Sequence, residues 1–128
     1  AGTAAIGGGF CATLRDYARL GALVADGGHG IVPAAWIGRL GRGDAGTFAR
    51  CTVPETCSGF DGYRNQWWGS GGGTLARGIH GQLVEVDAAA ETVVTIVSSW
   101  PDATDPALEA TQRETTARVR ARLAGATT

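Results

Sequence analysis

The run Ala76-Arg77-Gly78-Ile79-His80-Gly81-Gln82 has the most chemically suggestive spacing in this chain of 128 residues. A glycine at the end of a strand lets a ligand approach the backbone closely. An unpaired N–H beside it, such as that of Ile79, can point at a developing oxyanion. Trp67 and Trp68, one strand earlier, offer an aromatic wall. The same residues suit a β-bulge carrying a surface histidine, and residue chemistry alone leaves both readings open. All eleven basic residues are arginines, so no lysine is present to act as a base.

Other chemistries find less support. Ser58, Ser70, Ser98 and Ser99 are the serines, and none lies in G-x-S-x-G or has a lysine three residues later. They read as turn and strand-edge hydroxyls. Gly69-Ser70-Gly71-Gly72-Gly73 lacks the Gly-Lys-Ser/Thr of a phosphate loop and lies between strands, so it reads as a hairpin turn. His29 and His80 are the two histidines, and neither belongs to an H-E-x-x-H pattern. We expect no metal and no cofactor. His29, between glycines after a helix, reads as a loop residue. Cys51 and Cys57 can close a small loop in an oxidising compartment. The odd count, with Cys11, argues against a disulfide scaffold.

Composition narrows the partners. A net charge of −1 gives no electrostatic footprint for nucleic acid or an anionic membrane. No apolar run approaches the roughly 18 residues of a membrane span, and no signal peptide is evident. With 44% hydrophobic residues the chain is globular in composition. We expect no nucleic-acid partner, no membrane partner and a cytoplasmic location. Opening on Ala1-Gly2-Thr3 without Met, the chain reads as cut from something longer.

The elements that must position these residues follow from spacing. Thr13 with Asp16 three residues on resembles a capping box. Leu14, Tyr17, Ala18, Leu20 and Leu23-Val24 then recur at helical spacing until Asp26-Gly27-Gly28. Pro33 opens a short helix through Ile37. Residues 41–61 read as a long surface loop. Tyr63–Trp68 has strand composition. Thr74–Ile79, Gln82–Asp87 and Thr92–Ser98 read as further strands, with Asp87-Ala88-Ala89-Ala90-Glu91 as a hairpin turn. Pro106 opens a final helix whose Leu108, Gln112, Thr115, Val119 and Leu123 would face the sheet, leaving Arg118, Arg120 and Arg122 solvated. The pattern is α+β, an antiparallel sheet with flanking helices.

The ordered set Gly-Gly-Gly-Phe-Cys-Ala-Thr-Leu-Arg-Asp-Tyr-Ala-Arg-Leu-Gly, Ile-Val-Pro-Ala-Ala-Trp-Ile, Tyr-x-x-Gln-Trp-Trp, Ala-Arg-Gly-Ile-His-Gly-Gln, Val-Asp and Ser-Ser-Trp-Pro spans nearly the whole chain. It resembles the C-terminal part of the β-lactamase-related serine hydrolases, within the branch of 6-aminohexanoate-dimer hydrolases and esterases. The resemblance implies the C-terminal portion of a β-lactamase/transpeptidase-like fold, with residues 1–128 forming one partial domain. It also implies cleavage of an amide or ester through an acyl-enzyme. That family uses a serine in S-x-x-K, a tyrosine motif such as Y-x-N, and a K-T-G-type motif on an edge strand.

Ala76-Arg77-Gly78 takes the K-T-G place by this resemblance. Gly78 and the Ile79 N–H then belong to the oxyanion hole, with Trp67, Trp68 and His80 lining the cleft. A second register sets His80-Gly81-Gln82 against the H-x-G variant of the motif. S-x-x-K is absent, and Tyr63-Arg64-Asn65 lies on the wrong element for the tyrosine motif and reads as the start of a strand. The nucleophile and base would come from a missing N-terminal segment of the same fold, and the isolated chain would be inactive on a small-molecule amide or ester. The alternative is a non-catalytic binding module of that fold.

Overall fold

The computed structural model describes residues 8–43, 57 and 59–125. Helix α1 (Leu14–Ala25) starts where Thr13 Oγ1 accepts the Asp16 N–H. The Thr13 hydroxyl in turn donates to the Asp16 carboxylate at 2.7 Å. That hydrogen bond and one from Arg19 hold the Asp16 carboxyl below its ordinary pKa. Helix α2 (Ala34–Ile37) begins behind Pro33, which supplies the extended cap residue.

Five strands follow as an antiparallel meander in chain order: β1 (Gly62–Arg64), β2 (Trp67–Ser70), β3 (Gly73–Arg77), β4 (Leu83–Asp87) and β5 (Thr92–Ile96). Sequence spacing anticipated the last three strands to within a few residues. It joined β1 and β2 into one strand. Asn65 and Gln66 divide them, with φ of 55° and 67°, the backbone of a two-residue hairpin turn whose twist matches its strands. The next turn is tighter than the glycine run suggests. Ser70 still pairs with Gly73, and Gly71-Gly72 alone turn the chain. Helix α3 (Pro106–Gly125) closes the structure, capped by Asp105, whose carboxylate accepts the Ala107 and Leu108 N–H groups.

The sheet has two unlike faces. One carries Trp67, Ala76, Val84, Val86 and Val93 against α1 and the segment that holds Ile37 and Leu40. Gly21 is the contact point. A Cβ there would run into Val93 Cγ1 and sit 3.1 Å from Val84 Cγ1, so the helix backbone rests on the sheet side chains. The other face carries Leu75, Arg77, Leu83 and Glu85 beneath α3.

Helix α3 does not present the face expected of it. Leu108, Val119 and Leu123 are exposed, and Thr116 is buried at 3% exposure. Glu109, Gln112, Thr116 and Arg120 turn inward. Arg77 Nη2 meets Glu109 Oε1 at 2.5 Å, and Arg120 reaches Glu85 at 3.3 Å and Asp87 at 3.9 Å. Arg120, expected to be solvated, is an interface residue. The charged strand residues require charged helix partners, because a carboxylate under a helix without one would be an unpaired buried charge.

Cys57 is disulfide-bonded and Cys11 is free and exposed. Cys51, Ser58 and most of the anticipated 41–61 loop lie outside the described residues. His29 is exposed with φ of 46°, in keeping with a loop position.

The α1 contact yields a prediction. Gly21→Leu removes the close approach and overpacks the Val84–Val93 contact, an insertion that costs about 1–3 kcal/mol. The gain in helix propensity, about 1 kcal/mol at most, does not offset it. Urea denaturation should show a lower midpoint with an unchanged slope.

Candidate functional site

The β2–β3 ladder ends at Trp68↔Leu75, while β3 and β4 stay paired to Arg77↔Leu83. Strand β3 is therefore the central strand of five, not an edge strand. Past Leu75, however, it has no ladder partner on the β2 side among the described residues. The chain leaves the sheet there. Gly78 N–H donates to Gln82 O at 3.0 Å, closing a short turn, and a single 3₁₀ turn (Ile79–Gly81) leads into β4. Ile79 N–H takes no partner among the described residues. Its side chain is 64% exposed.

A cleft of about 330 Å³ opens beside this turn, bounded by Trp68, Gly78, Ile79, Trp100, Pro106 and the first turns of α3. Phe60 and Tyr63 stack on Trp68, with ring centroids 4.9 and 4.7 Å away. Arg77 lies over the Phe60 ring at 5.3 Å while pairing with Glu109. Trp68 and Trp100 are the aromatic residues of the cleft wall, and Phe60 and Tyr63 pack on Trp68 outside it.

Three of the five residues expected at the site line the cleft: Gly78, Ile79 and Trp68. Trp67 does not. It is 7% exposed and packs with Val24, Leu40 and Val86 in the core on the α1 side. Adjacent strand residues point to opposite faces, so Trp67 and Trp68 cannot share a cleft. His80 does not line it either. It holds a left-handed backbone (φ 58°, ψ 26°) and turns toward the segment after β5. Its Nδ1 lies 2.8 Å from Trp100 O, and its N–H donates to Ala103 O at 2.9 Å. A carbonyl only accepts, so Nδ1 carries the proton. The alternative H-x-G register places Gln82 where glycine is required. The Gln82 side chain is also committed elsewhere, donating to Ser98 O and accepting from Ser98 N.

Sequence reading missed the clasp around this turn. Ser98 Oγ donates to Gly81 O at 2.7 Å and reaches His80 O at 3.1 Å. Gln112 Nε2 donates to the same Gly81 O at 2.8 Å, 31 residues along the chain. Trp100 N–H reaches His80 O, and its indole lies where a Cβ on Gly81 would stand. Ser98 is therefore a structural donor with its proton spent on a carbonyl. The Ser98-Ser99-Trp100-Pro101 run was the available signal, but its partners are tertiary. Among the described residues, no group of three or more His, Cys, Asp and Glu could hold a metal ion. None of the helices there is long and apolar enough to cross a membrane.

The fold and site together define an α+β unit whose central strand ends in an open backbone turn beside an aromatic cleft. Comparison with known proteins relates this unit to a hydrolase. The chain is 35% identical over 104 residues to a 6-aminohexanoate-dimer hydrolase of Paenarthrobacter ureafaciens, a match covering 74% of this chain. The chain spans about a quarter of that relative's length, 26%. No protein-family model matches it.

The clasp makes its own prediction. Ser98→Ala and Gln112→Ala should each lower stability by about 0.5–1.5 kcal/mol, the net worth of a typical hydrogen bond. Both donors share one acceptor, so a double-mutant cycle by urea denaturation should show a coupling of at least ~0.5 kcal/mol. Strict additivity would mean that Gly81 O does not join them.

Proposed function

We propose that residues 1–128 are a partial domain, the C-terminal segment of a β-lactamase-related serine hydrolase that cleaves amide or ester bonds through an acyl-enzyme. The unpaired Ile79 N–H at the wall of the cleft carries this reading. The similarity to a 6-aminohexanoate-dimer hydrolase supports it. In the assembled enzyme a missing N-terminal segment supplies the serine, its lysine base and the tyrosine. Attack of the serine on the substrate carbonyl makes a tetrahedral oxyanion, and Ile79 N–H donates to it. Gly78, with no side chain, leaves room for that oxygen to reach the backbone. Trp68 with its aromatic neighbours presses on the substrate beside the reacting carbonyl. Trp67 supports the strand from behind, and His80 fixes the turn without touching substrate. The disulfide at Cys57 favours an oxidising compartment over the cytoplasm expected from sequence. The absence of lysine favours one alternative for this chain taken alone, a non-catalytic binding module of the same fold.

Two outcomes test the proposal. The isolated chain should hydrolyse neither a chromogenic ester nor a cephalosporin. It should also take up no fluorophosphonate on Ser58, Ser70, Ser98 or Ser99. Turnover or stoichiometric serine labelling would contradict the assignment of the nucleophile to another segment. In the intact parent enzyme, Ile79→Val should keep most activity, because the backbone and not the side chain donates. Ile79→Pro removes the N–H and should lower kcat by about 10²–10³, the effect of losing one oxyanion donor. Circular dichroism and melting must first show that the proline variant is folded. Near-normal kcat in a folded Ile79→Pro enzyme would sink the role given to this N–H.

A further inference from the structure

The two residues after Ile79 hold an unusual backbone. His80 has φ of 58° and Gly81 φ of 82°. A residue with a side chain stays in the left-handed region only where its surroundings impose that conformation. Trp100 reaches both residues. Its N–H donates to His80 O at 3.3 Å, and its carbonyl accepts the His80 Nδ1 proton at 2.8 Å. Three residues on, Ala103 O accepts His80 N–H at 2.9 Å. The Trp100 indole covers Gly81. A Cβ at Gly81 would run into Trp100 Cε2 and lie 2.6 Å from Trp100 Nε1, so the ring edge rests on the bare α-carbon. The ring is half-buried and borders the cleft together with Ile79.

The Ile79 peptide lies between two anchors. Before it, Gly78 N–H is bonded to Gln82 O. After it, Trp100 is bonded to His80, the residue that directly follows Ile79. Release of the second anchor lets His80 return to an ordinary backbone and swings the Ile79 peptide. We infer that Trp100 is a positioning residue for the oxyanion hole. Without touching the reacting atoms, its bonds to His80 and its ring on Gly81 fix the direction of Ile79 N–H. This rests on the reading of that N–H as an oxyanion donor, and it adds the residue that keeps the donor aligned. The backbone bonds do not depend on the side chain, so the ring is the part that substitution tests. Removing it leaves a void beside Gly81 into which the turn can settle, carrying the donor with it. A shift of about 1 Å in a positioned group can lower a rate by about 10²-fold.

In the intact parent enzyme, Trp100→Ala should lower kcat on a chromogenic ester by about 10–100-fold. It should weaken a boronate inhibitor, which mimics the tetrahedral adduct, by a similar factor, while KM moves by about threefold at most. Trp100→Phe, which keeps a ring over Gly81, should restore most of kcat. In the Ile79→Pro enzyme, Trp100→Ala should lower kcat no further, because no donor remains to be aligned. A residue that only supports the fold, or only forms the cleft wall, would not give this pattern. Circular dichroism and melting establish that each variant is folded. If Trp100→Ala is not, Trp100→Leu and Gly81→Ala, which displaces the ring from the other side, are read by the same ratios. Three results would each overturn the proposal: unchanged kcat and boronate affinity in a folded variant, a KM rise equal to the loss of boronate affinity, or a full further loss in the Ile79→Pro background. If Ile79→Pro silences the enzyme and Trp100→Ala does not, this inference fails and the hydrolase reading stands. If a folded Ile79→Pro enzyme keeps its kcat, the donor reading fails and this inference fails with it.

Discussion

Two hydrogen bonds converge on the carbonyl of Gly81, and the geometry of the cleft depends on them. Ser98 Oγ approaches from the segment after β5 and Gln112 Nε2 from α3, at 2.7 and 2.8 Å. They tie two distant parts of the chain to the one turn that leaves β3. A carbonyl has two lone pairs, so both donors can be accommodated and the group is saturated. The neighbouring donors of the turn are used in the same way: Gly78 N–H on Gln82 and His80 N–H on Ala103. Ile79 N–H, between them, has no partner among the described residues. A donor flanked by N–H groups that are themselves bonded is held in a fixed direction, and such preorganisation is what electrostatic stabilisation of an oxyanion requires.

The two faces of the sheet serve different ends. The α1 face is a dry contact in which a glycine on the helix meets valines on β4 and β5, and burial there holds the sheet. The α3 face is built from ion pairs. Such pairs add little net stability where they are partly exposed, but they fix which groups meet which. Arg77 with Glu109 sets the distance of α3 from the end of β3, and so the width of the cleft.

Local chemistry made much of the fold legible. The Thr13–Asp16 cap and the helix opening at Pro106 rest on contacts within a few residues, and the meander from β3 to β5 pairs strands that follow one another in sequence. The failures share a cause. Helix α3 was oriented by its leucines and valine, but the sheet beneath it carries Arg77, Glu85 and Asp87, and only the tertiary pairing shows that charged residues must face inward. Asn65-Gln66 lacks the glycine that marks most two-residue hairpins, so the β1–β2 turn was hidden. Trp67 and Trp68 are neighbours on β2 and face opposite ways, which the two-residue period of a strand dictates. Ser98 and Gln112 were unremarkable in sequence because their shared acceptor lies 17 and 31 residues from them.

The central claim is that the backbone at Ile79 faces the reacting carbonyl. A crystal structure of the intact parent enzyme, inhibited covalently by a phosphonate or boronate, tests it most directly. The account predicts an inhibitor oxygen about 2.7–3.1 Å from Ile79 N, the range of an oxyanion donor, with Ser98 and Gln112 still bonded to Gly81 O. An inhibitor oxygen held by other groups, with Ile79 N–H turned away from the cleft, would contradict it.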